Sequence, residues 1–135
     1  MINFILPSLY AGLIIGVSLS AAIKFSAPSL TLGTALEIGH VTFNTFNKCE
    51  WLLLLSLSIA ALIKYKITWP IIGCYIILII QTCYLLPALN ERFMLFSQGI
   101  VNSKSFHHTA YVVCELSKVL LLFCVIYLSR NLKQT

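Results

Sequence analysis

The carboxylates of this sequence are Glu37, Glu50, Glu91 and Glu115, and there is no aspartate. Each lies within or beside an apolar stretch. A charge near the centre of a bilayer costs at least about 2.5–3.5 kcal/mol on insertion scales, and such residues usually face the protein interior and act there. Other polar groups stand near them at helical spacing. Glu37, His40, Asn44 and Asn47 fall within an arc of about 80° when placed at about 100° per residue. Gln81, Tyr84 and Glu91 follow at steps of three and seven residues. His107, His108, Tyr111, Glu115 and Lys118 form a third set. Tyr111, Glu115 and Lys118 stand at i, i+4 and i+7 and share a face, so Glu115 can pair with Lys118 along the helix.

Three kinds of chemistry fit these stripes. The groups can satisfy one another, a buried Glu–Lys pair with Asn and Tyr hydrogen bonds fixing helix register without any ligand. They can line a polar cavity for an ion, a proton or a small molecule. They can also hold a transition metal. Glu37-Ile38-Gly39-His40 is a Glu-x-x-His pair, and di-iron bundles use two such pairs with two further glutamates. Glu91, His107, His108 and Glu115 would supply the remainder, although no second Glu-x-x-His occurs. Catalytic triads, phosphate loops and nucleotide fingerprints are absent. Cys49, Cys74, Cys83, Cys114 and Cys124 stand singly with no CxxC, which gives a thiol relay no support. They read as small apolar side chains.

The elements that position these residues follow from composition. The 135 residues are 59% hydrophobic and 10% charged, with a mean hydropathy of +0.94. Soluble domains carry roughly 45–50% apolar and about 25% charged residues. A spanning helix needs about 20 mostly apolar residues. Spans are expected near 5–25, 47–64, 67–89 and 108–129 of a single transmembrane domain covering residues 1–135. Tyr75–Ile80 and Val119–Ile126 do not alternate, which excludes barrel strands there. The expected fold is all-α, an integral membrane four-helix bundle.

Between spans one and two, residues 29–47 are too polar for lipid and too apolar for a free loop. They read as an amphipathic helix that runs into the second span or folds back against it; Glu37–Ile63 as one long helix is the alternative. Ala27-Pro28 should end the first helix, and Trp69-Pro70 should open the third. Pro87 is a candidate kink. Asn90–Phe106 reads as the longest connection, partly on the membrane surface, with Ser103 or Ser105 capping the last helix. Gly12, Gly16 and Ser20 form a small-residue seam suited to helix packing.

The net charge of +5 is spread over scattered basic residues, which points to a membrane and not to nucleic acid. Lys64, Lys66, Arg130 and Lys133 favour cytoplasmic termini over Lys104 and Arg92 on the other side. The first segment reads as a span and not as a cleaved signal, because no charge precedes it.

Phe25-Ser26-Ala27-Pro28-Ser29-Leu30, Leu86-Pro87-Ala88-Leu89-Asn90-Glu91-Arg92, and His107-His108 with Tyr111, Glu115 and Lys118 resemble small four-helix membrane proteins of the transmembrane-protein-205-like type and their bacterial relatives. The resemblance implies the four-helix fold and a bacterial inner membrane. It implies little about activity.

The leading expectation is a membrane protein that transports or binds an ion or small molecule. Its interior would hold Glu37, His40, Asn44, Asn47, Gln81, Tyr84, Glu91, His107, His108, Tyr111, Glu115 and Lys118. Glu37 and His40 are expected to meet Glu91 or the His107–Glu115 stripe in one cavity. The second reading is an accessory subunit of a larger membrane complex or a homo-oligomer. The third is a metal-dependent membrane oxidoreductase. The one partner common to all three is the lipid bilayer.

Overall fold

A computed structural model describes residues 2–64, 68–100 and 106–131. Every regular element among them is helical. Helix α1 covers Ile2–Ile23 and ends in a 3-10 turn at Lys24–Ser26. Helix α2 covers Leu32–Lys64, α3 Trp69–Ile80, α4 Leu86–Ser97 and α5 Phe106–Asn131. A π-helical turn, Gln81–Leu85, joins α3 to α4. The four stretches Phe4–Ile23, Leu32–Ile63, Trp69–Ser97 and Phe106–Arg130 are long and apolar enough to cross a membrane.

Of the readings open for residues 29–47, the one that runs into the second span holds, and they do not fold back. From Leu32 onward they are continuous with the second span in one helix of 33 residues. Thr31 starts it, its Oγ1 accepting the Thr34 amide at 3.2 Å. At 1.5 Å per residue α2 is about 50 Å long, against about 30 Å of hydrocarbon.

The third span also runs on past residue 89. Asn90–Ser97 is helix, and the connection beginning at Asn90 is correspondingly shorter. Gly99, at φ +73°, ends α4 in a Schellman turn. Its amide bonds the Phe96 carbonyl at 2.9 Å, and the Ile100 amide bonds that of Leu95 at 3.0 Å. The expected tight turn at Lys64–Lys66 and the Ser103 or Ser105 cap lie outside the described residues.

Helix α1 packs on α5 and α2, and α3 packs on α5. Tyr10 and Ile14, Leu54 and Leu57, Cys74 and Leu78, Leu122 and Val125 bring all four spans into one core. Leu52, Leu62, Ile76 and Leu120 point outward. So large an apolar exterior is a surface for lipid. The Gly12–Gly16–Ser20 seam lies on that exterior and not in the bundle. All three residues are exposed, and nothing lies within 4 Å of a Cβ placed at either glycine. The buried side of α1 is Pro7, Tyr10, Ala11 and Ile14 instead.

Candidate functional site

Continuity of α2 places Glu50 about 27 Å from one end of the helix and about 21 Å from the other. Lys118 stands about 18 Å into α5 from Phe106. Both are therefore at mid-bundle depth, and both side chains are completely buried. Lys118 Nζ donates to Glu50 Oε1, and to Glu115 Oε1 at 3.2 Å. The Tyr10 hydroxyl, from α1, donates to the same Glu50 oxygen at 3.0 Å. Gln81 Nε2 donates to Glu115 Oε1 at 2.7 Å and reaches the Tyr111 carbonyl at 3.5 Å. One hydrogen-bonded cluster thus draws a side chain from each of the four spans.

The π turn sets the position of Gln81. The Leu86 amide bonds the Gln81 carbonyl, five residues back. Pro87 has no amide to donate, and in a regular helix its ring would collide with the Cys83 carbonyl. A wide turn just before it relieves that crowding. Such turns often occur at functional positions.

Charge in the cluster does not balance by pairs, since two carboxylates share one ammonium. Each carboxylate also uses only one oxygen. Glu50 Oε2, Glu115 Oε2, Gln81 Oε1 and the Tyr111 hydroxyl are buried and close no regular hydrogen bond among the described residues, although the Tyr111 hydroxyl stands beside the Glu115 carboxylate. Three of these four atoms are acceptors only. In an apolar interior each unmet polar atom costs several kcal/mol.

The remaining stripe on α2 faces α3 and α4, not α5. Asn47 Nδ2 donates to Thr82 Oγ1 at 3.0 Å, as does Trp51 Nε1 at 3.0 Å. Asn44 and Asn90 exchange amide hydrogen bonds of 3.1 and 3.3 Å. The His40 ring stacks on Phe93 with centroids 4.8 Å apart. Glu37 and Glu91 are exposed, as is Tyr84, whose ring lies 6.2 Å from that of half-buried His107.

His40 does line a cavity, of about 650 Å³, at the end of the bundle where α1 stops and α5 starts. Its polar walls are Lys24, His40, Asn90, Arg92, His108 and Thr109. Glu37, Glu91, His107 and Glu115 are not among the lining residues. The expectation of one shared cavity is thereby corrected. The polar residues divide between a central charged cluster and a basic cavity at one end. Burial lowers the Lys24 ammonium from its ordinary value, because desolvation disfavours the charged form.

The metal reading gains no support from the arrangement of these side chains. Among the described residues no three His, Cys, Asp or Glu side chains come together as ligands for an ion. Glu37 and His40 share a helix face, but Glu91, His107, His108 and Glu115 do not gather round them.

Sequence reasoning omitted two members of the cluster. Glu50 was noted as a carboxylate beside an apolar run, but a span starting near residue 47 puts it at a helix end. It stands three residues beyond Asn47, at the margin of the same stripe, and that spacing was the available signal. Tyr10 sits in an apolar segment with no polar neighbour at helical spacing, so nothing local marks it. Compared with family models, curated proteins and solved structures, the chain matches none.

Proposed function

We propose that this chain is a small polytopic membrane protein whose central cluster binds a cation, the proton first, and passes it between the helices. The observation that carries this reading is the sharing of buried Lys118 between buried Glu50 and Glu115, with a further polar partner from each remaining span. A purely structural fastening does not need three charges. Replacing buried ion pairs by apolar residues of similar volume is often neutral or stabilising. Excess negative charge and unmet acceptor atoms favour a positively charged occupant. A bacterial inner membrane with both termini cytoplasmic completes the proposal, on the family resemblance and on the lysines and arginines at the end carrying the termini.

The test is cation flux into liposomes containing the purified protein, with a pH-sensitive dye inside and an imposed membrane potential. Flux above that of protein-free liposomes, lowered in Glu50→Gln, is expected. Flux equal to that of protein-free liposomes would remove the reading. The accessory-subunit reading would then lead. It is favoured by the outward Gly12–Gly16–Ser20 seam, which suits close approach by a helix of another chain, and fixed-stoichiometry co-purification would support it.

A further inference from the structure

The cavity at the far end of the bundle is separate from the charged cluster and shares no residue with it. It lies at the end of the bundle where α1 stops and α5 starts. It is walled by the end of α1 and the turn after it, the start of α2, α4 from Leu86 to Phe96 and the start of α5. Its lining carries two basic side chains, Lys24 and Arg92, and two imidazoles, His40 and His108. No carboxylate lines it. The two nearest along the chain, Glu37 and Glu91, are exposed and are not among the lining residues.

The local backbone is fitted to this arrangement. Gly39 leaves its helix face bare, and the Lys24 ammonium lies 2.7 Å from where a Cβ would stand. Any side chain at residue 39 would push the ammonium away. His40 is held flat against Phe93, and its Nδ1 is buried without a hydrogen-bond partner among the described residues. The rest of the wall is apolar, with Phe43, Phe93, Phe96 and Phe106 among it. Basic groups and amide donors against an aromatic wall form an amphiphilic site. A volume of about 650 Å³ lies within the roughly 300–1,000 Å³ of small-molecule pockets.

We propose that this cavity binds the phosphodiester headgroup of an anionic membrane lipid, with Lys24 and Arg92 on the phosphate, Asn90 and His40 completing the polar contacts, and the phenylalanines against the glycerol and first chain carbons. Phosphate is recognised by basic forks and point charges of this kind. Basic pockets between transmembrane helices are known to take anionic lipid headgroups. A lipid is favoured over a soluble phosphate because much of the rest of the wall is aromatic.

The experiment uses the full chain in a neutral maltoside detergent. Its unfolding temperature is read with added phosphatidylglycerol, phosphatidylcholine or inorganic phosphate. Phosphatidylglycerol is expected to raise the midpoint by several degrees, and the other two to leave it unchanged. The rise is expected to vanish in Lys24→Gln/Arg92→Gln and to persist in Lys48→Gln, whose lysine is exposed and outside the cavity. Equal rises from both lipids, a rise from phosphate alone, or a full rise in the double variant would each overturn the proposal. Native mass spectrometry of the parent chain from equimolar mixed-lipid micelles gives a readout that needs no variant. One retained phosphatidylglycerol per protein supports the site, and equal retention of the two lipids contradicts it.

Discussion

Lys118 and Glu50 stand 68 positions apart in the sequence and close a fully buried ion pair between α5 and α2. The pair does not stand alone, because Glu115, one turn back on α5, competes for the same ammonium at 3.2 Å. Tyr10 and Gln81 bring α1 and the π turn to the two carboxylates. Each of the four spans therefore has a polar tie to a common centre.

Removing single members of this centre should cost stability in a definite order. Breaking a buried pair by deleting one partner costs about 3–5 kcal/mol. Lys118→Met strands two carboxylates and should be worst. Glu50→Ala should follow, and Glu115→Ala should be mildest, since Lys118 keeps Glu50. Unfolding midpoints in detergent check the order. Three variants melting with the parent would mean that the cluster is solvated.

Tyr10→Phe tests the tie from α1. It removes one hydrogen bond to a carboxylate and leaves the ring packing in place. Hydrogen bonds to charged groups contribute about 1.5–3 kcal/mol, and a loss in that range is expected by denaturant unfolding. No loss would mean that the hydroxyl does not hold Glu50.

A second polar joint lies between α2 and the π turn. Thr82 Oγ1 accepts from both Asn47 and Trp51 and donates to the Leu78 carbonyl at 2.8 Å. Thr82→Val keeps the shape and strands two donors. Each buried donor left unmet costs about 1–3 kcal/mol. The variant should lose at least that much, and the Trp51 fluorescence should shift as its indole N–H loses its partner. An unchanged spectrum and midpoint would place another acceptor at the indole.

Much of this was legible from residue type and spacing. Four apolar runs gave the spans, and i, i+3 spacing gave the Glu115–Lys118 pair. The α2 stripe was correctly phased: Asn47 is buried, and Asn44 and His40 are half-buried. Its partners were not legible, because they depend on which helix lies opposite. The π turn explains a further miss. It inserts one residue, which rotates everything after it by about 100°. Gln81 opens the turn and faces Glu115, whereas Tyr84, inside it, and Glu91, beyond it, are exposed. Depth was the other hidden quantity. Glu50 looked terminal until residues 32–47 proved continuous with the span, which moved it to the middle.

Orientation is tested separately. Reporter fusions after Lys66 and after Thr135 should both read cytoplasmic. An external signal from both would invert the topology, and opposite signals would break the even number of spans.

The central claim is that the Glu50–Lys118–Glu115 centre works on a cation and is more than a fastening. The variant Glu50→Gln/Glu115→Gln/Lys118→Met removes all three charges at nearly constant volume. Because no charge is left unpaired, its fold should survive, with an unfolding midpoint close to the parent's. Proton flux in liposomes, driven by an imposed potential, should then fall to the level of protein-free liposomes. A folded neutral variant that carries flux at the parental rate would contradict the account.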